Sequence, residues 1–187
     1  MDRAKIEENR LRKAIESKLR YFPDFPRQGI NFVDIMPLFN NPSLLNELCA
    51  AIGEHAKNLP VKIDAVAGFE ARGFLFGPQV SIILNLPFIP IRKKGKLPGE
   101  VIQEFYEKEY GQDVIEIQKD AIKEGWNVFL IDDLLATGGT LLAAVRLFEK
   151  SKARIVEAFT LIELSFLNAR NIIPNHIPIY SLILLSK

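Results

Sequence analysis

The chain is poor in reactive and metal-binding side chains: 187 residues hold one cysteine, two histidines, two methionines and one tryptophan. With Cys49 alone, an intrachain disulfide is excluded, and a reduced intracellular compartment is expected. Cys49 lies within an apolar helical pattern and reads as a small core residue, not a nucleophile. His55 and His176 stand far apart in sequence and away from any motif. Both read as structural or surface residues, and no His/Cys cluster suggests a transition metal. Net charge is also scarce, at +1 from 24 Lys+Arg against 23 Asp+Glu. No global field draws nucleic acid or a membrane surface, so any anion site must be built locally. No apolar run approaches the ~18 residues of a membrane span. Met1 to Arg20 is charged throughout and lacks the apolar centre of a signal peptide, so the cytoplasm is the expected location.

What is present is an ordinary globular composition, 48% hydrophobic and 25% charged, of a length that suits one α/β domain over residues 1–187. Residues 4–20 carry a helical period with Leu11, Ala14, Ile15 and Leu19 on one face. Pro23, Pro26 and Gly29 mark 21–31 as an ordered loop. Asn41-Pro42 starts a helix that runs through 44–59. Strands are expected at 63–67, 87–92, 114–118, 128–131, 153–164 and 177–185, and helices at 71–84 and 141–149. The segment 93–111 is polar, charged and irregular. Strands alternate with helices and most are continuous apolar runs, which predicts a mostly parallel sheet flanked by helices. The alternating segment 113–118 is expected at an edge.

The most informative stretch is Val128-Phe-Leu-Ile-Asp-Asp-Leu-Leu-Ala-Thr-Gly-Gly-Thr140. A buried strand ends in Asp132 and Asp133, and adjacent residues there point to opposite sides. The following loop can offer N–H groups from Ala136, Thr137, Gly138, Gly139 and Thr140, plus two hydroxyls. That donor set, at a helix start, suits a phosphate monoester, and the two acids suit sugar hydroxyls. It is not a Walker loop, because Gly-x-x-x-x-Gly-Lys is missing. Such sites lie outside the carboxyl ends of the strands.

Three further segments carry chemistry. Gly68-Phe-Glu-Ala-Arg-Gly73 follows a strand, and the Arg72 fork suits paired phosphate oxygens. Arg92, Lys93, Lys94 and Lys96 concentrate cations in an otherwise neutral chain. The segment 99–111 is rich in acids, including Glu109 beside Tyr110, which suits a closing lid better than a fixed wall next to a polyanion.

Together these motifs resemble the type I phosphoribosyltransferase family, in its adenine-using branch. Asp132 to Thr140 is similar to the family's signature for phosphoribosyl pyrophosphate (PRPP). Phe22-Pro-Asp-Phe-Pro-Arg-Gln-Gly-Ile-Asn-Phe-Val-Asp-Ile35 resembles its N-terminal base-binding hood, here about 20–40. Gly68 to Gly77 resembles its pyrophosphate loop, and Arg92 to Gly111 its basic loop and mobile catalytic loop, the latter about 96–111. The resemblance covers about residues 20–187. It implies the type I phosphoribosyltransferase fold with a small hood, and a glycosyltransferase of purine salvage. That reaction moves the phosphoribosyl group of PRPP to adenine N9, giving AMP and pyrophosphate. A related enzyme using a 6-oxopurine, and a non-catalytic PRPP or nucleotide sensor, are the alternatives. Residue by residue, the resemblance places Asp132, Asp133 and Ala136 to Thr140 on ribose and 5′-phosphate. Glu70, Ala71, Arg72, Arg92, Lys93 and Lys96 are placed on pyrophosphate, with a cis peptide at Glu70–Ala71. Adenine falls to Asn31, Phe32 and Leu134. Glu109, Tyr110, Asp132 and Arg72 are the expected catalytic residues, with Glu109 or Asp132 handling the purine proton. Mg2+ is expected mainly through substrate, without a dedicated protein cage. A homodimer is expected, with the basic loop reaching across the interface. Val33 departs from the pattern, since relatives often carry a basic residue there.

Overall fold

The computed structural model describes residues 3–108 and 111–186, in two compact units, residues 1–54 and 55–187. The first unit opens with helix α1 (Arg3–Glu16), which stops short of the expected residue 20. Leu19 is buried all the same, in the link just before the first strand. The segment expected to be a loop is a hairpin: β1 (Arg20–Pro23) pairs antiparallel with β2 (Asn31–Asp34). Pro23 ends β1 opposite Asn31, on an edge strand where proline is tolerated, and Pro26 and Gly29 lie in the turn. Across the pair, Arg20 Nε donates to Asp34 Oδ2 at 2.9 Å. Val33 is 4% exposed, so its apolar side chain matches its surroundings. Helix α2 (Pro42–Lys57) follows, with Asn41 Oδ1 accepting from the Leu44 N–H at 3.2 Å. Cys49 is buried, and burial pushes its thiol up to about 11, the inert core residue expected.

The second unit holds a seven-stranded sheet among the described residues. Its strands are β3 (Ala65–Phe69), β4 (Phe88–Lys93), β5 (Val101–Lys108), β6 (Gly111–Gln118), β7 (Asn127–Leu135), β8 (Arg154–Leu164) and β9 (Ile179–Leu185). Their order is β5-β6-β4-β3-β7-β8-β9. The five strands from β4 to β9 across the sheet run parallel, and β5 and β6 add an antiparallel hairpin. Helices α3 (Gly77–Leu84) and α4 (Gly139–Lys150) complete this unit. The core joins Val128 and Leu130 of β7 to Val145 and Phe148 of α4 and to Ile89 and Ile91 of β4. No helix among the described residues is long and apolar enough to cross a membrane.

Four expectations are corrected here. The helix expected over 71–84 is a 3-10 turn at Arg72–Leu75 followed by α3, which starts only at Gly77. The irregular segment 93–111 contains β5, so most of it is one arm of a hairpin; β6 is longer than expected and lies one strand in from the edge. β7 does not stop at Ile131 but continues through both aspartates to Leu135, because its pairing with β8 continues through Asp132 with Thr160 and Leu134 with Ile162.

Candidate phosphoribosyl site at the sheet switch point

The chain leaves β3 for β4 on one side and returns to β7 on the other, so the strand order reverses between β3 and β7. In parallel sheets a crevice opens at the carboxyl ends of the strands at that point. Here it is a cavity of about 450 Å³, including space open to solvent, lined by Phe69, Asp132, Leu134, Ala136, Thr137, Gly138 and Thr140, among others.

Alternation along β7 decides which acid meets the cavity. Asp132 is half-buried on the cavity wall, whereas Asp133 is 4% exposed and is not part of that wall. Asp132 Oδ1 accepts the Asp133 N–H at 2.9 Å. The Arg72 Nε lies 2.9 Å from Asp133 Oδ2. Burial pushes the Asp132 carboxyl well above the usual carboxylate range, and the Asp133 charge beside it adds to the shift. Burial also raises Asp133, against the pull of Arg72. The turn carrying Arg72 can come this close because Gly73 has no side chain: a Cβ there would sit 2.9 Å from the Ile131 carbonyl oxygen.

The phosphate-sized loop closes the other side. Gly138, at φ +87°, is the residue before α4 and has the left-handed backbone that glycine adopts without penalty. Its carbonyl accepts the Leu142 N–H at 2.9 Å. N–H groups of a helix's first turn lack helical acceptors and carry the positive end of the dipole, and the cavity lies at this end of α4. Thr137 is exposed and Thr140 half-buried on the wall, while Gly139 faces a neighbouring groove with Phe105 and Arg146.

The remaining expected residues are placed as follows. The Glu70–Ala71 peptide is cis. Glu70 Oε2 accepts from Arg92 Nε at 2.6 Å, and an Arg92 terminal nitrogen donates to the Lys96 carbonyl at 3.0 Å. Two residues expected on pyrophosphate thus engage each other, while Lys93, Lys94 and Lys96 are exposed. Asn31 is exposed in the hairpin of the first unit, and Phe32 packs edge-on against Phe25 with ring centroids 5.2 Å apart. Glu109 and Tyr110 lie outside the described residues. The hairpin arm leading to them is anchored on α4, where Lys150 pairs with the buried Glu104 and donates to the Gln103 carbonyl at 3.0 Å.

Residues that sequence reasoning missed cluster on β8 and β9. Thr160, on the cavity wall, bonds Ser181 Oγ at 3.0 Å, and Ser181 Oγ donates to Glu163 Oε2 at 2.6 Å. The signal in the sequence is one threonine and two glutamates, Thr160, Glu157 and Glu163, inside the apolar run 155–164. His55, expected to be structural or surface, has its Nε2 2.5 Å from the buried Glu157, with Tyr180 4.2 Å away between ring centroids.

Known proteins share this architecture. The phosphoribosyl transferase domain family matches residues 37–171. The adenine phosphoribosyltransferase of Caenorhabditis elegans is 59% identical over 167 residues, 89% of this chain and 90% of that protein. The Saccharomyces cerevisiae adenine phosphoribosyltransferase, solved with an imino-altritol bisphosphate and adenine, superposes with TM-score 0.89 at 43% identity. It covers 93% of this chain and 99% of that one. The Trypanosoma brucei enzyme, solved with AMP, pyrophosphate and ribose-5-phosphate, gives TM-score 0.86 at 30% identity over 95% of this chain and 81% of that one. Matched by the family model over residues 37–171 and by these relatives over most of both chains, the chain belongs to the phosphoribosyltransferase family, among the adenine phosphoribosyltransferases.

Proposed function

We infer that the protein transfers the phosphoribosyl group of PRPP to N9 of adenine, releasing pyrophosphate and forming AMP, as a purine-salvage enzyme of the cytoplasm. The observation that carries the reading is the cavity at the β3/β7 switch point, with Asp132 on one wall and Ala136, Thr137, Gly138 and Thr140, at the entry to α4, on the other. Relatives named for adenine support the choice of base.

In this reading Ala136 to Thr140 hold the 5′-phosphate through backbone N–H groups and the Thr137 and Thr140 hydroxyls. Asp132 orients the ribose hydroxyls, and Asp133, behind it, holds Arg72. Phe32 and Asn31 of the hood and Leu134 bind the flat base. Glu70, Ala71 and Arg72, with Arg92, Lys93 and Lys96, receive the leaving pyrophosphate; Arg72 and Arg92 are already held in place by Asp133 and Glu70. A half-buried carboxylate such as Asp132 is a hard oxygen donor that suits Mg2+. Mg2+ brought in on PRPP supplies charge neutralisation for the leaving group. As the bond from the anomeric carbon to pyrophosphate breaks, positive charge grows on the ribose, and N9 of adenine closes on the same carbon. Glu109, with Tyr110, closes over the reacting centre, excludes water and takes the purine proton, a role Asp132 could share. The exposed lysines of the basic loop act in a homodimer, reaching the partner's site.

Formation of AMP, IMP, GMP and XMP is compared from PRPP and the respective bases, with and without Mg2+. AMP alone, dependent on Mg2+, is expected. Product from a 6-oxopurine with none from adenine overturns the reading, and tight nucleotide binding without turnover turns it to a sensor. In the same assay Glu109→Ala is expected to lower kcat about 100-fold, within the range of a general acid–base group, with PRPP affinity little changed. Unchanged kcat with weakened binding removes Glu109 from the chemistry.

A further inference from the structure

Glu163 is 4% exposed near the end of β8, and Arg170 grips it with both arms of its fork, Nε to Oε1 at 2.9 Å and a terminal nitrogen to Oε2 at 2.8 Å. The other terminal nitrogen of Arg170 donates to the Ile179 carbonyl at 3.2 Å, so one side chain ties its own turn to both β8 and β9. Arg170 holds the Glu163 carboxyl below its usual range, and Ser181 adds a third hydrogen bond to the same carboxylate. A bidentate pair of this kind fixes direction as well as distance.

The turn that Arg170 anchors is the one the phosphate loop leans on. At Gly138 an added Cβ would meet the Ala169 Cβ and carbonyl oxygen, each at 3.1 Å, and the Ile172 Cδ1 at 3.3 Å. Residues 169–172 therefore set how far Gly138 can retreat from the cavity. The serine has one hydroxyl hydrogen, and it goes to the carboxylate, so Thr160 must be the donor in its bond to Ser181. The same network thus fixes a hydroxyl on the cavity wall.

We propose that Glu163 and Arg170 are positioning residues for the reaction: through the 169–172 turn they brace Gly138, and so set the loop Ala136–Thr140 at the spacing a phosphate monoester requires. The inference deepens the proposed function and rests on that loop being the 5′-phosphate site. Its signature is selective. A change at the pair should weaken ligands that carry the phosphate and spare those that lack it.

The test is calorimetric binding of AMP and adenosine to the whole protein, wild type against Arg170→Lys, which keeps the charge but loses the fork. Ser181→Ala, a milder change that removes one bond to Glu163, guards against failure of the first variant to fold. In wild type AMP is expected to bind far more tightly than adenosine. In Arg170→Lys the AMP affinity is expected to fall about tenfold, the scale of one mis-set charge-assisted hydrogen bond, with adenosine unchanged and KM for PRPP raised more than kcat is lowered. Ser181→Ala is expected to move the same way by less. Equal losses for AMP and adenosine, or no loss for AMP in either variant, overturn the brace while leaving the site reading intact. A wild type that binds AMP no better than adenosine overturns the phosphate site itself.

Discussion

Arg72→Met is expected to lower the stability of the ligand-free protein by about 3 kcal/mol at neutral pH, the cost typical of removing one partner from a buried ion pair. For a chain of this size that corresponds to a loss of roughly 6–12 °C in Tm. The cause is local. Asp133 is buried with its Oδ2 2.9 Å from the Arg72 Nε, and Asp132 stands next to it on the same strand. Without the guanidinium, two adjacent carboxylates face burial and each other. The pH dependence follows in sign. Burial already favours the protonated form of Asp133, and Arg72 is what opposes this. Loss of Arg72 raises the folded-state pKa further, so the extra instability is absent where both states are protonated and grows as pH rises past the ordinary carboxylate range. Thermal melts from pH 4 to pH 8 should show the variant diverging from wild type toward the alkaline end. Arg72→Met combined with Asp133→Asn should recover most of the loss, since it removes the stranded charge. A double variant no more stable than the single one would show that Arg72 acts through packing instead. Activity should stay low in both, because the arginine is also the proposed clamp on pyrophosphate.

The sequence made the central part of the fold legible where the physics was simple. Val128 to Ile131 is apolar without interruption and is fully buried, and Gly138-Gly139 announced the loop before α4. It was less legible where charges are buried. Asp132 and Asp133 look like the end of a strand, because buried adjacent acids are unfavourable; the ladder with β8 and the nearby Arg72 let β7 run on to Leu135. Glu104 hid β5 for the same reason. It breaks the period-2 pattern of Val101 to Tyr106, yet it is buried against Lys150, a partner 46 residues further on that no local pattern could supply. The prolines of 21–31 read as a loop although Pro23 ends a paired strand of a hairpin and only Pro26 lies in its turn. The Glu163–Arg170 brace was invisible for a different reason. Each residue alone is an ordinary charge in a strand or a turn, and only the fold shows that the turn abuts Gly138. Local backbone preference was therefore readable, and long-range pairing of charges was not.

Asp132→Asn is expected to act in opposite directions on stability and on ligand binding. In the ligand-free protein, burial and the neighbouring Asp133 hold the Asp132 carboxyl well above its usual range. A raised carboxylate pKa means that the folded state binds the proton more strongly than the unfolded chain. That contribution is present below the unfolded pKa and is lost as pH rises through the folded one. Asparagine keeps the size and the acceptor for the Asp133 N–H, at 2.9 Å in the wild type, and does not ionise. The variant should therefore match wild type near pH 4 and exceed it at pH 7–8 by a few degrees in Tm, at about 2–4 °C per kcal/mol. Function should move the other way. The charge that is unfavourable in the empty cavity is the one proposed to hold the ribose hydroxyls, and losing a charged hydrogen bond costs about 1.5–3 kcal/mol, or roughly 10–100-fold in PRPP affinity. Melting curves across pH, paired with PRPP titrations at pH 7.5, measure both effects on the same preparations. A variant no more stable than wild type at any pH would mean that the buried charge is already compensated in the empty protein. A variant that binds PRPP as tightly as wild type would remove Asp132 from the ribose. Both effects together would mark Asp132 as a residue kept at a cost in stability, because the charge that burial opposes is the one that holds the ribose hydroxyls.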